Sequence, residues 1–136
     1  MRDIKLIVIH CTATRAGHPV TAAQINDWHI ARGFKSIGYH FVIGLNGELE
    51  FGRGIDEVGA HVRGFNSSSI GIAYVGGLDA NGNPADTRTP EQKAALMRVL
   101  SYLKKEFPEA RILGHNDLNI RKACPCFNAA KEYEDL

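Results

Sequence analysis

The sequence is poor in cysteine, with only Cys11, Cys124 and Cys126 among 136 residues. So small and odd a number excludes the disulfide framework of a secreted mini-domain and leaves metal binding or free thiols. Long apolar runs are missing too. The stretch Leu6 to Ile9 falls far short of the roughly 20 residues that span a bilayer, so no membrane partner is expected. Net charge is only +1, without the basic excess that marks a nucleic-acid binder. Repeats, low-complexity tracts and composition breaks are absent. One domain over residues 1–136 is the expectation, large enough to bury a core without cross-links. The opening MRDIKLIVIH lacks the basic start, long apolar core and small-residue cleavage site of a secretory signal. Synthesis in the cytoplasm without a signal peptide is therefore expected.

What is present alternates between strand and helix patterns. Ile4 to Ile9 is a β-branched apolar run that reads as a buried strand ending at His10. Thr21 with Gln24 makes a capping box, opening a helix with Ile25, Trp28 and His29 at helical spacing and Gly33 as its stop. Tyr39 to Leu45 and Glu48 to Arg53 read as strands around the hairpin dipeptide Asn46-Gly47. Residues Gly54 to Ser69 read as a loop that can line a site, and Ile70 to Val75 as another strand. Thr89, Pro90 and Gln92 open a second helix, whose apolar stripe is Leu96, Val99, Leu100, Leu103 and Phe107. A short strand, Arg111 to Leu113, leads to His115, and a last helical turn falls within Asn128 to Tyr133. The expected fold class is α/β: a single domain with a central mixed β-sheet flanked by helices.

Two histidines, His10 and His115, stand where strands end, rigid places from which to aim side chains into a cleft. Cys124 and Cys126 follow within loop-closing reach of His115. Two imidazoles and one thiolate match the donor preferences of zinc, and three protein ligands leave a position open for chemistry. A hydrogen-bonded structural histidine and a packed thiol are the plainer alternatives, and spacing alone does not choose between the two cysteines. A cysteine hydrolase built on Cys124 and His115 is a further option. Cys11 follows His10 on its strand and so points to the opposite face, toward the core. His18, His29 and His40 read as surface or helix-face residues, and Trp28 as a packing residue.

The segments IVIHCTAT, INDWHIARGF, GYHFVIG, GAHVRGFNSSSIGI, YVGG, TPEQ, LGHND and KACPCF occur in that order along almost the whole chain. In this ordered combination the sequence resembles the zinc-dependent N-acetylmuramoyl-L-alanine amidases of the type-2 family, the phage amidase lysozymes above all. It is similar at greater distance to animal peptidoglycan-recognition proteins. The resemblance implies one zinc ion held by His10, His115 and Cys124, with Tyr39 and Lys122 as catalytic residues. Cys126 stands where the family carries a small residue, and the spacing from His115 to Cys124 is slightly longer than in the phage relatives.

The activity so implied is hydrolysis of the amide between N-acetylmuramic acid and the L-alanine of the stem peptide in bacterial peptidoglycan. That is the work of a phage or prophage endolysin, acting on the cell wall after release. His61 and Asn66, in GAHVRGFN, are expected to face the groove and contact glycan or stem peptide. Asp117 is expected either to hold the His115 imidazole or to cap its loop. The expected partner is peptidoglycan, with neither nucleic acid nor membrane, and the chain is expected to be a monomer. A catalytically silent peptidoglycan-binding module is the alternative, disfavoured by the retained Cys124. Regulation through a phage RNA polymerase is a role known in the phage branch that nothing in the residues tests.

Overall fold

A computed structural model describes residues 2–136, and the apolar run near the start forms an inner strand of its main sheet. Strand β1 is Leu6–Cys11: it begins two residues after the expected Ile4 and runs one past the expected end at His10, because Cys11 continues the ladder. Around it lie β3 (Phe41–Ile43), β4 (Leu49–Phe51), β5 (Ser69–Tyr74) and β7 (Arg111–Gly114), in the order β4-β3-β5-β1-β7. β1 runs parallel to both β5 and β7, β3 runs parallel to β5, and only β4 is antiparallel. A second, two-stranded ribbon pairs β2 (Thr14–Arg15) with β6 (Gly77–Leu78). The structure is thus a single α/β domain with a mixed central sheet. No described helix is long and apolar enough to cross a membrane.

Helix α1 (Ala22–Ala31) starts at the Thr21–Gln24 capping box, and α2 (Pro90–Glu106) at the Thr89–Gln92 box with Pro90 in its first turn. On α2, Leu96, Val99, Leu100 and Leu103 are buried, one helical stripe laid on the sheet. They meet Ile7, Ile9, Phe41, Ile43, Ile70, Ile72 and Tyr74, the alternate residues of β1, β3 and β5. The opposite face is built differently. Val42 and Val75 pack there with Val20, Ile25 and Ile37, while β5 offers only Ser69, Gly71 and Ala73. Large residues on one side of β5 and small ones on the other leave a hollow above the second face.

The hairpin between β3 and β4 forms around Asn46-Gly47 with a longer turn than the dipeptide alone suggests. Gly47 takes φ 84° and Asn46 is not left-handed; the turn closes with Gly44 N–H on Glu48 O and Gly47 N–H on Gly44 O, both 2.9 Å. Two short helices, α3 (His115–Leu118) and α4 (Ala129–Glu132), bracket the last loop. Arg88 ties that loop down. Its guanidinium binds Asp86 at 2.9 Å and Glu132 at 2.7 Å, and stacks 3.4 Å over the Phe127 ring.

Because Leu100 is fully buried between α2 and the sheet, Leu100→Ala is expected to destabilise the protein by about 2–5 kcal/mol, measured by denaturant unfolding. A loss under about 1 kcal/mol would contradict the packing described for that face.

Candidate metal centre

On the second face of the sheet lies a cleft of about 1090 Å³, lined by His10 of β1 and by His61, whose ring packs over Gly71. His10, near the end of β1, enters its floor because its neighbours Ile9 and Cys11 take the core side. His115 comes from the first residue of α3, directly after β7, and Cys124 from the loop that follows α3. One donor atom from each, His10, His115 and Cys124, lies within 4.8 Å of the others, a group able to hold a metal ion. His10 Nδ1 faces Cys124 Sγ at 3.8 Å, and the two imidazole rings are 4.7 Å apart. By donor type the set suits a borderline ion such as zinc.

The loop is held so that Cys124 reaches the histidines. Asn116 N–H donates to Cys124 O at 2.8 Å, and Tyr74 Oη–H donates to Pro125 O at 2.6 Å. Cys11 N–H donates to Cys124 Sγ at 3.1 Å. Hydrogen bonding from Cys11, side chain first and backbone second, outweighs burial and holds the Cys124 thiol below its ordinary range. Cys126 differs. It has φ 70°, turns its Sγ toward Gly77 O at 3.3 Å and lies 4.0 Å from Cys11 Sγ. Burial, with Cys11 beside it, pushes its thiol up to about 12. The structure therefore brings Cys124 to the imidazoles and leaves Cys126 a protonated thiol beside them. Cys11 is buried on the core side, as its place on the strand requires.

Tyr39 and Lys122 both line the cleft. The Tyr39 ring stands 5.2 Å from that of His10. Burial first, then Cys124 and Cys11, push its phenol above the usual range, so it stays a protonated donor. Lys122 is exposed, two residues before Cys124. Asn66 lines the cleft but spends its Oδ1 on the N–H groups of His61 and Val62, both at 2.9 Å. His61 also lines the cleft, with Nδ1 2.8 Å from His10 Nε2 and Nε2 3.2 Å from Ser69 Oγ. Asp117 is placed as a cap: its Oδ2 accepts from Gly114 N–H at 2.8 Å, at the start of the turn that carries His115.

The readings of His40 and Trp28 need correction, and that of His29 needs sharpening. His29 lies on the face of α1 as expected but is 6% exposed, His40 is 1% exposed and so is neither a surface nor a helix-face residue, and Trp28, 44% exposed, is only partly covered. His29 stands four residues after buried Ile25 and shares its face; that i, i+4 relation was the available signal. Its Nδ1 accepts from Gly38 N–H at 2.8 Å, which leaves Nε2 as the donor nitrogen on a ring that lines the cleft between Phe34 and Tyr39. His40 accepts from Gly71 N–H at 3.0 Å through Nδ1 and donates from Nε2 to Glu57 O at 2.8 Å. Both partners are distant in sequence, and no local pattern announces them.

Fold and site together define a small α/β protein with a two-histidine, one-cysteine centre on the floor of an open cleft. The chain belongs to the N-acetylmuramoyl-L-alanine amidase family, whose model matches residues 1–127. It is 46% identical to the endolysin of Enterobacteria phage K11 over 120 residues, 88% of this chain and 79% of that protein. It is 43% identical to the endolysin of Klebsiella phage KP32, over 98% of this chain and 87% of the other. The solved N-acetylmuramoyl-L-alanine amidase LysC from Clostridium intestinale URNW superposes with a TM-score of 0.81 at 29% identity, covering 96% of this chain and 82% of that one.

Burial first, then His61 and His115, hold His10 well below its ordinary value; burial first, then His40, brings His61 to about 3. The folded protein thus binds fewer protons here than the unfolded chain. That stabilisation is complete above about pH 6.5 and is lost as pH falls from there toward about 3. Thermal melting of the metal-free protein should show the midpoint dropping below about pH 6.5, by roughly 1.4 kcal/mol per pH unit for each imidazole kept neutral. A midpoint independent of pH over that range would contradict the neutral cluster.

Proposed function

We propose that residues 1–136 act as one catalytic domain that uses a zinc ion, held by His10, His115 and Cys124, to hydrolyse the amide between N-acetylmuramic acid and L-alanine in peptidoglycan. The observation that carries this reading is the convergence of those three donors on the cleft floor with Tyr39 and Lys122 beside them. Membership of the amidase family and likeness to phage endolysins support it.

Zinc at this position supplies Lewis acidity and a water that ionises near neutral pH. The chain supplies the rest. Arg32, Arg63 and Phe34 also line the cleft, giving it cationic and aromatic surface for a substrate. Tyr39 keeps its proton and can donate to the oxygen that gains charge as the carbonyl becomes tetrahedral. Lys122 also lines the cleft, two residues before Cys124. It stabilises that oxygen or gives the departing amine its proton. Cys124 contributes the anion that balances part of the metal's charge. The substrate lies in the cell wall, where an endolysin works after release.

Release of stem peptide from purified peptidoglycan, followed with the metal removed by chelation and then restored, tests the reading. Activity should vanish and return, and full activity in metal-free protein would refute the zinc mechanism. Tyr39→Phe and Lys122→Ala are each expected to lower turnover by about a hundredfold or more while bound metal stays at the wild-type level. Cys124→Ser should lose metal and activity together, while Cys126→Ser keeps both. The reverse pattern for the two cysteines would reassign the third ligand.

A further inference from the structure

His61 has both ring nitrogens engaged inside the protein, one of them on a residue that belongs to the donor group. We propose that His61 is the positioning residue for His10: it accepts the Nε2–H of that imidazole and so fixes the tautomer that presents a bare Nδ1 to a metal. The inference rests on the reading of His10, His115 and Cys124 as a zinc centre.

The proton bookkeeping admits one solution. His10 Nδ1 is the nitrogen that faces Cys124 Sγ, at 3.8 Å, so Nδ1 is the ligand atom and must be unprotonated. A neutral imidazole carries one proton, which then sits on Nε2, 2.8 Å from His61 Nδ1. His61 Nδ1 must accept it, which puts the single proton of His61 on its own Nε2. That nitrogen lies 3.2 Å from Ser69 Oγ, which accepts in turn. The chain Ser69, His61, His10 therefore runs in one direction, and each nitrogen has one role. Ligand histidines in metal sites commonly hand their second N–H to a carboxylate or a carbonyl. Here the acceptor is a neutral ring, which orients the ligand without adding negative charge. A divalent ion held there against one thiolate would keep a net positive charge, which would favour its acting as an electrophile.

The seat for His61 is built into the fold. A Cβ on Gly71 would lie 2.6–2.7 Å from the Cγ, Cδ2 and Nδ1 of the ring, and one on Gly59 would lie 2.8 Å from Cδ2. Asn66 Oδ1 clamps the backbone N–H of His61. Arg2 donates to the carbonyls of Ser69, Asn66 and Ile55, pinning both flanks of the loop. With both nitrogens committed, His61 has no free polar atom on its ring for a bound glycan or stem peptide. Its place in the cleft wall follows from its work behind His10.

The test measures zinc affinity, by competition with a chromophoric chelator, for the wild type, His61→Asn, His61→Leu and Gly71→Ala. It is paired with 15N imidazole spectra of the metal-free wild type. Asn Oδ1 replaces the accepting Nδ1, so His61→Asn should bind zinc within about threefold of wild type, whereas His61→Leu should bind about 10- to 100-fold more weakly. Gly71→Ala, which leaves the histidine but fills its seat, should weaken zinc as the leucine variant does. The spectra should show both His10 and His61 protonated at Nε2. Unchanged affinity in His61→Leu, with only KM for peptidoglycan raised, would overturn the proposal in favour of a substrate contact. Should a variant fail to fold, the wild-type spectra decide, since Nδ1–H on either ring is incompatible with the proposal. A wild type that binds no zinc at all would remove the zinc reading itself, an outcome distinct from any difference among variants.

Discussion

The sheet's middle strand has a thick side and a thin side, and the cleft exists because of the thin one. Ile70, Ile72 and Tyr74 of β5 fill the space under α2, while Ser69, Gly71 and Ala73 leave room above the other face. Into that room come His10 from the neighbouring strand and His61 from the loop before β5, their rings 4.9 Å apart at a near-right angle. Steric space comes first and hydrogen bonding second. Gly71 admits the His61 ring, and only then can His61 Nδ1 meet His10 Nε2. His40 is drawn in by the same glycine, whose N–H it accepts.

Three thiols within one neighbourhood end with three different characters. Cys11 sits deepest, its thiol pushed far up by hydrogen bonding to Cys124 and by burial. Cys126 is raised by burial and by Cys11. Only Cys124 is lowered, because it receives hydrogen bonds where its neighbours give them. A thiolate is the form that binds metal, and local hydrogen bonding favours that form at Cys124 over the other two. The extra thiol at Cys126, where the family has a small residue, is accommodated by a left-handed backbone that turns it toward Gly77 O.

Much of the fold is local enough to read along the chain. Both capping boxes, the apolar stripe of α2, the β-branched run of β1 and the turn glycine at Gly47 each act within a few residues, and each has its expected structural form. Of the group that the structure brings together, His10 and His115 are legible as strand-end histidines, while Cys124 is singled out from Cys126 only by the ordered set of motifs. The tasks of His29, His40 and His61 were not legible. Each depends on a partner from another element: Gly38 for His29, Gly71 for His40, His10 for His61. A hydrogen bond across 51 residues leaves no periodic trace in sequence. Trp28 was misplaced for a related reason. Its spacing fits a helix, but the face it occupies is set by where α1 docks.

The separation of 114 residues between His10 and Cys124 has a temporal meaning. Contacts this remote form only after the loop-closing entropy of nearly the whole chain has been overcome. Tyr74 holding Pro125, and Arg88 holding Phe127 and Glu132, are the contacts that bring the last loop home. Bringing Cys124 to His10 therefore requires the last loop to be in place against the rest of the fold.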